Sequence, residues 1–178
     1  MKKSIVGLIA VSLPFFGISQ SVFNKFEDSD RIGSVTISKG MLNLVVDMMD
    51  EHSDDKESQD FVDIAKNLDA IKIFVSDDEG ASADMQATMK TYIKKSNLEE
   101  LMKIRDGDTN LKFYIKNGKD ANHVEELLMF ATGFDEDGQK YDVETVLLTM
   151  TGDIDLAKVG SLTKKMNLPK ELNKAGKQ

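Results

Sequence analysis

The sequence predicts an α+β fold: a four-stranded antiparallel meander over about residues 98–152, one or two earlier strands, and helices packed on one face of the sheet. Three observations predict it. The second half of the chain alternates apolar and polar residues with period two, between short turn signals. The first half instead repeats its apolar residues every three or four positions. Between "FVDIAKNL" (61–68) and "AIKIFVS" (70–76) the period changes from one to the other, which marks a helix entering a strand.

Residues 1–19 precede the predicted domain. Lys2 and Lys3 are followed by an apolar run from Ile5 to Ile18, with small Gly17 and Ser19 at its end. This is the layout of a secretory signal peptide, which places the start of the mature chain at Gln20. The run is shorter than the roughly 20 apolar residues of a spanning helix, and Pro14 interrupts it. With no later segment of that length, no transmembrane anchor is expected after cleavage.

Behind Ser21, Val22, Phe23 and Phe26 have the spacing of a short amphipathic helix. "SVTIS" (34–38) is rich in β-branched residues and predicts a short strand. Ser38 then stands at a cap position before "KGMLNLVVDMMDEH" (39–52), in which Leu42, Val45 and Met49 share a helical face. The stretch "DEHSDDKESQD" (50–60) has no apolar face and predicts a solvated connection; it lacks the D-x-[DN]-x-[DN]-G spacing of a calcium loop. In "FVDIAKNL", Phe61, Ile64, Ala65 and Leu68 predict a helix, and in the following strand Ile71, Ile73 and Val75 point the same way. The turn "DDEG" leads to a helix over 82–97, with Met85, Met89, Tyr92 and Ile93 as its stripe and Lys94 and Lys95 in its last turn, where the helix dipole favours cations.

From residue 98 the pattern is that of a sheet. "LEELMKIRD" (98–106) and "NLKFYIKN" (110–117) alternate cleanly, and the short Asp-Gly link between them predicts a hairpin. "HVEELLMFATGF" (123–134) and "YDVETVLLTMTG" (141–152) are more evenly apolar, as central strands covered on both faces are. They are joined by the polar turn "DEDGQK". Beyond them, Leu156, Val159, Leu162 and Met166 predict a helix that Pro169 ends, with Asp155 placed to cap it. Gly152 and Asp153 are then the joint between strand and helix, since two carboxylates fall short of the six to eight oxygen ligands of calcium. The chain thus divides into a signal peptide (1–19), a single α+β domain (20–168) and a polar tail (169–178).

Composition narrows the function. Without Lys2 and Lys3, 21 basic residues face 31 acidic ones, a net charge of about −10 that disfavours nucleic acid and anionic membranes as partners. The chain has no cysteine, so neither a disulfide, a thiol nucleophile nor a lipid-anchored thiol is available. His52 and His123 lie in polar contexts, and no G-x-S-x-G elbow or phosphate-cradling loop is present. The acidic runs Asp77, Asp78, Glu79 and Asp135, Glu136, Asp137 fall in turns beside glycine, where solvation accounts for them. No cofactor, metal site or catalytic residue is assigned, and the protein is expected not to be an enzyme.

One surface stands out. Lys103, Arg105, Lys112, Tyr114 and Lys116 fall on the outward side of one hairpin, a possible contact face for an envelope protein or an anionic ligand. The alternative is a set of surface cations that keeps a sheet edge from adding strands. Two further functions are weighed: a carrier of a small apolar ligand, from the methionine-rich helices, and a carboxylate-dependent hydrolase.

The stretches "VTISKGMLNLV" (35–45), "LEELMKIRDG" (98–107), "LKFYIK" (111–116) and "LLTMTGDIDL" (147–156) make the chain similar to the Bacteroidetes family of small exported proteins known as domain-of-unknown-function family 4252. The resemblance runs through most of the mature chain. It implies an envelope or secreted location in a Gram-negative bacterium and brings no catalytic residue. Many such proteins look like lipoproteins; lacking the lipobox cysteine, this one is expected to be free in the periplasm or secreted.

Overall fold

The computed structural model describes residues 21–50, 56–133 and 143–159. A helical turn at Ser21–Phe23 runs into α1 (Asn24–Glu27). Then follow β1 (Gly33–Ser38), α2 (Lys39–Asp50), α3 (Lys56–Asn67), β2 (Leu68–Ser76) and α4 (Glu79–Ser96). The meander is β3 (Glu99–Asp106), β4 (Thr109–Asn117), β5 (His123–Thr132) and β6 (Thr145–Asp155). The stretches read from sequence as a signal peptide (1–19), a turn ("DEDGQK") and a polar tail (169–178), together with His52, lie outside the described residues.

All six strands form one antiparallel sheet in the order β1-β2-β6-β5-β4-β3. The α+β class and the four-strand meander are as the periodicity predicts. The returning β6 pairs with β2, so the two earlier strands extend the same sheet beyond the meander.

The placement of the helices differs from expectation: they cover both faces of the sheet. On one face Leu42 and Val46 of α2 and Val62, Ile64 and Ala65 of α3 pack on Ile71, Phe113, Met129 and Leu148. On the other, Phe23, Phe26 and the α4 residues Met85, Met89 and Tyr92 pack on Phe74, Leu128, Phe130 and Leu147. The reason is in the strands themselves. Leu127, Leu128, Met129 and Phe130 are consecutive and all buried, and consecutive strand residues point to opposite faces. Each face therefore needs its own cover. The larger apolar set draws α2 and α3, and the aromatic set draws α4 and the N-terminal segment.

Local chemistry fixes the ends. Asp78 caps α4, its Oδ1 accepting from the Ala81 N–H at 2.7 Å, so the helix starts in the stretch that reads as a turn. α3 likewise starts at Lys56, within the stretch that reads as a solvated connection. Phe23 meets Tyr92 edge-on at 4.8 Å and Phe26 meets Phe74 at 5.6 Å, which pins the N-terminal segment to the α4 face. Beside them the buried Lys72 ammonium bonds Glu27 at 2.8 Å and Asn24 at 3.2 Å. Its bond holds the Glu27 carboxyl below the ordinary value.

Candidate functional site

The five hairpin residues singled out in the sequence separate in the structure. Lys103, Arg105, Lys112, Tyr114 and Lys116 do share one side of β3–β4, since Lys103 opposes Lys112 and Arg105 opposes Asn110 in the register. That side is the α4 face, so it is not an outward face throughout. Tyr114 is buried with the α4 core, and its hydroxyl donates to Glu100 at 3.3 Å. Burial, with the Glu100 carboxylate beside it, pushes the phenol above its ordinary value. Lys116 is tied to Glu125 at 2.8 Å. What remains open is the part nearer the sheet edge: Lys103 and Arg105 are exposed and Lys112 half-buried.

These three cations differ from many others among the described residues. Lys25, Arg31, Lys39, Lys72, Lys116, Lys119 and Lys158 each hold a carboxylate. Among the described residues Lys103, Arg105 and Lys112 hold none, and Lys103 sits directly opposite Lys112, a like-charge pairing that weakens a sheet. Lys90 of α4, which bonds the neutral Gln86 at 3.2 Å and holds no carboxylate among the described residues, extends the set. Lys90 and Lys112 line a shallow cavity of about 160 Å³ with Gln86, Met89, Asn110, Phe130 and Thr132. Its size is below the roughly 300 Å³ at which small-molecule pockets begin, and its cations suit an anion better than an apolar cargo.

A second group was missed by sequence reasoning. Glu126 on β5 is 1% exposed, beneath α4. Its Oε2 accepts the Tyr92 hydroxyl at 2.7 Å, while Oε1 has no partner. Burial raises its carboxyl above the ordinary value, against the opposing pulls of the Tyr92 bond and of Lys116, its neighbour on β4. The available signal was an acid in an apolar strand: Glu126 alternates in step with Leu128 and Phe130, whose face α4 covers.

The other acidic positions are structural. Asp155 accepts from the Ala157 N–H at 2.9 Å and starts the helical turn at 156–159, as a cap does. Asp153 pairs with Lys119. Gly152 opposes Leu68 at φ +139°, and a Cβ there would lie 2.3 Å from the Asn67 carbonyl oxygen. His123 bonds Asp120 at 2.8 Å within the β4–β5 turn and lowers that carboxyl's pKa. Asp78 serves as a cap, and Asp135, Glu136 and Asp137 lie outside the described residues. Among the described residues no three His, Cys, Asp or Glu side chains gather as metal ligands, and no helix is long and apolar enough to cross a membrane.

A family model described as "Domain of unknown function (DUF4252)" matches residues 26–162. No curated protein and no solved structure matches the chain.

Proposed function

The chain belongs to the DUF4252 family, and from that premise we propose that it is an exported, non-catalytic binding module of a Bacteroidetes envelope, taking an anionic partner at the β3–β4 cations. Export rests on the Lys2-Lys3 and apolar leader pattern, and a free rather than lipid-anchored protein on the missing cysteine. The observation that carries the binding role is the set Lys103, Arg105 and Lys112, left without carboxylates among the described residues of a strongly acidic chain. A surface evolved only for stability would pair those charges, because opposite charges across strands stabilise by roughly 0.2–1 kcal/mol and like charges oppose. The matching ligand is an extended carboxylate-bearing chain, such as an acidic peptide segment.

Fluorescence anisotropy with a labelled acidic octapeptide tests this at low and at physiological salt. Binding that weakens with salt, and that is lost when Lys103, Arg105 and Lys112 are all replaced by serine, is the expected result. Tyr114 and Lys116 are kept in that variant, since one is buried and the other paired. Peptide affinity equal in the two proteins, or none in the wild type, rejects the proposal.

A further inference from the structure

The two edges of the sheet are built differently. β3 carries Glu99, Glu100, Lys103, Arg105 and Asp106, with a register shift between Glu100 and Met102, which are devices that discourage strand addition. β1 has none of these. Its sequence, Gly33–Ser38, holds no charge and no proline, and its pairing to β2 runs without a shift, so among the described residues its other side presents a regular free edge.

On α2, which packs against β1, the described residues leave apolar surface without cover. α2 buries Leu42 and Val46, yet Met41, Leu44 and Met48, at i, i+3 and i+7, form a second stripe that is 53%, 57% and 66% exposed. Val35, on the face of β1 that α2 shares, is 54% exposed. A single apolar stripe suffices to dock a helix on a sheet. Among the described residues nothing covers the second stripe.

We propose that β1 and α2 form a two-fold interface with a second copy of this chain. Antiparallel pairing of β1 with its own copy is self-complementary, as a two-fold contact must be. An axis normal to the sheet keeps Val35 and Ile37 of both copies on one face, because residues two apart share a face. That same axis places both α2 helices on one side of the joined sheet, where their Met41, Leu44 and Met48 stripes meet. The exposed parts of these four side chains amount to roughly 400 Å² per copy, as large as the principal apolar patch of many monomers. Doubled, and joined by the paired strand edges, they pass the roughly 1,000 Å² total that a specific interface needs. Charge permits the approach: in a strongly acidic protein the β1 edge carries no charged residue, while the β3 edge does.

Sedimentation velocity from low micromolar to hundreds of micromolar, on the wild type, Val35→Lys and Met48→Glu, tests the interface. The expected result is a wild-type dimer whose dissociation constant rises at least about tenfold in each variant. Leu101→Glu, at the opposite edge and 49% exposed in the native chain, should leave it unchanged. Met48 is exposed enough that its replacement leaves the fold intact, which circular dichroism verifies. A wild type that stays monomeric, or a dimer that survives either substitution, overturns the proposal. A monomer that floats with neutral lipid vesicles and loses flotation on Met48→Glu would assign the stripe to a lipid surface, and overturns it too.

Discussion

Replacing Glu126 by glutamine should stabilise the protein, and do so increasingly as pH rises. In the wild type the carboxyl is 1% exposed and has one hydrogen bond, from Tyr92 at 2.7 Å, for its two oxygens. Its folded pKa is raised by burial. The stability it contributes is therefore complete below the unfolded carboxylate value of about 4.3 and is lost as pH climbs through the raised folded value. Above that point the native state carries a buried charge with an unpaired oxygen. Leaving such a group unsatisfied costs about 1–3 kcal/mol or more, and about 2 kcal/mol corresponds to roughly 4–8 °C in a domain of this size. Glutamine keeps an acceptor for the Tyr92 hydroxyl and never ionises. Thermal melts of both proteins from pH 4 to pH 8 should give midpoints that nearly coincide at the acid end and separate by that amount at the alkaline end. Taking the difference cancels every other titrating group. A gap that is constant with pH, or one that closes as pH rises, would refute the assignment of Glu126 as a strained buried acid.

Two other substitutions probe the joint and the cationic edge. Gly152→Ala should lower stability in urea by at least about 2 kcal/mol, because φ +139° is strained for alanine and its Cβ meets the Asn67 carbonyl oxygen. Asp153→Ala, which removes only a surface pair with Lys119, should cost less than about 1 kcal/mol, and equal losses would contradict the structural account of the loop. Lys112→Glu converts the Lys103–Lys112 clash into an attractive cross-strand pair, so it should raise stability by roughly 0.2–1 kcal/mol while weakening binding of the acidic octapeptide. A variant that gains stability and keeps the affinity would separate the cations from function.

Much of the sheet was legible because strand alternation is a local signal. Leu111, Phe113 and Ile115 read as one face from sequence alone, and they are buried on one face. The Asp155 cap was equally visible, since a cap acts within two or three residues of itself. Lys103 and Lys112 were placed on one side correctly, yet what covers that side was not, because α4 is distant in sequence and reaches it only through the fold. Tyr114 shows the consequence: alternation places it on the face opposite Phe113, which α2 and α3 cover, and the arrival of α4 buries it as well. Glu126 was missed for the same reason, as its burial and its Tyr92 partner depend on a helix 34 positions away.

By itself, then, the sequence determined most of the secondary elements, the β3–β4 hairpin, the Asp155 cap and the family, all of which depend on residue type and short spacing. Only the tertiary structure decided that β6 returns beside β2, that helices cover both faces, and, among the described residues, which cations lack carboxylates and that β1 and α2 expose apolar side chains. Those properties come from contacts between distant segments. No local pattern encodes which segment will arrive to bury a face, and burial is what turns an ordinary lysine, glutamate or methionine into a site.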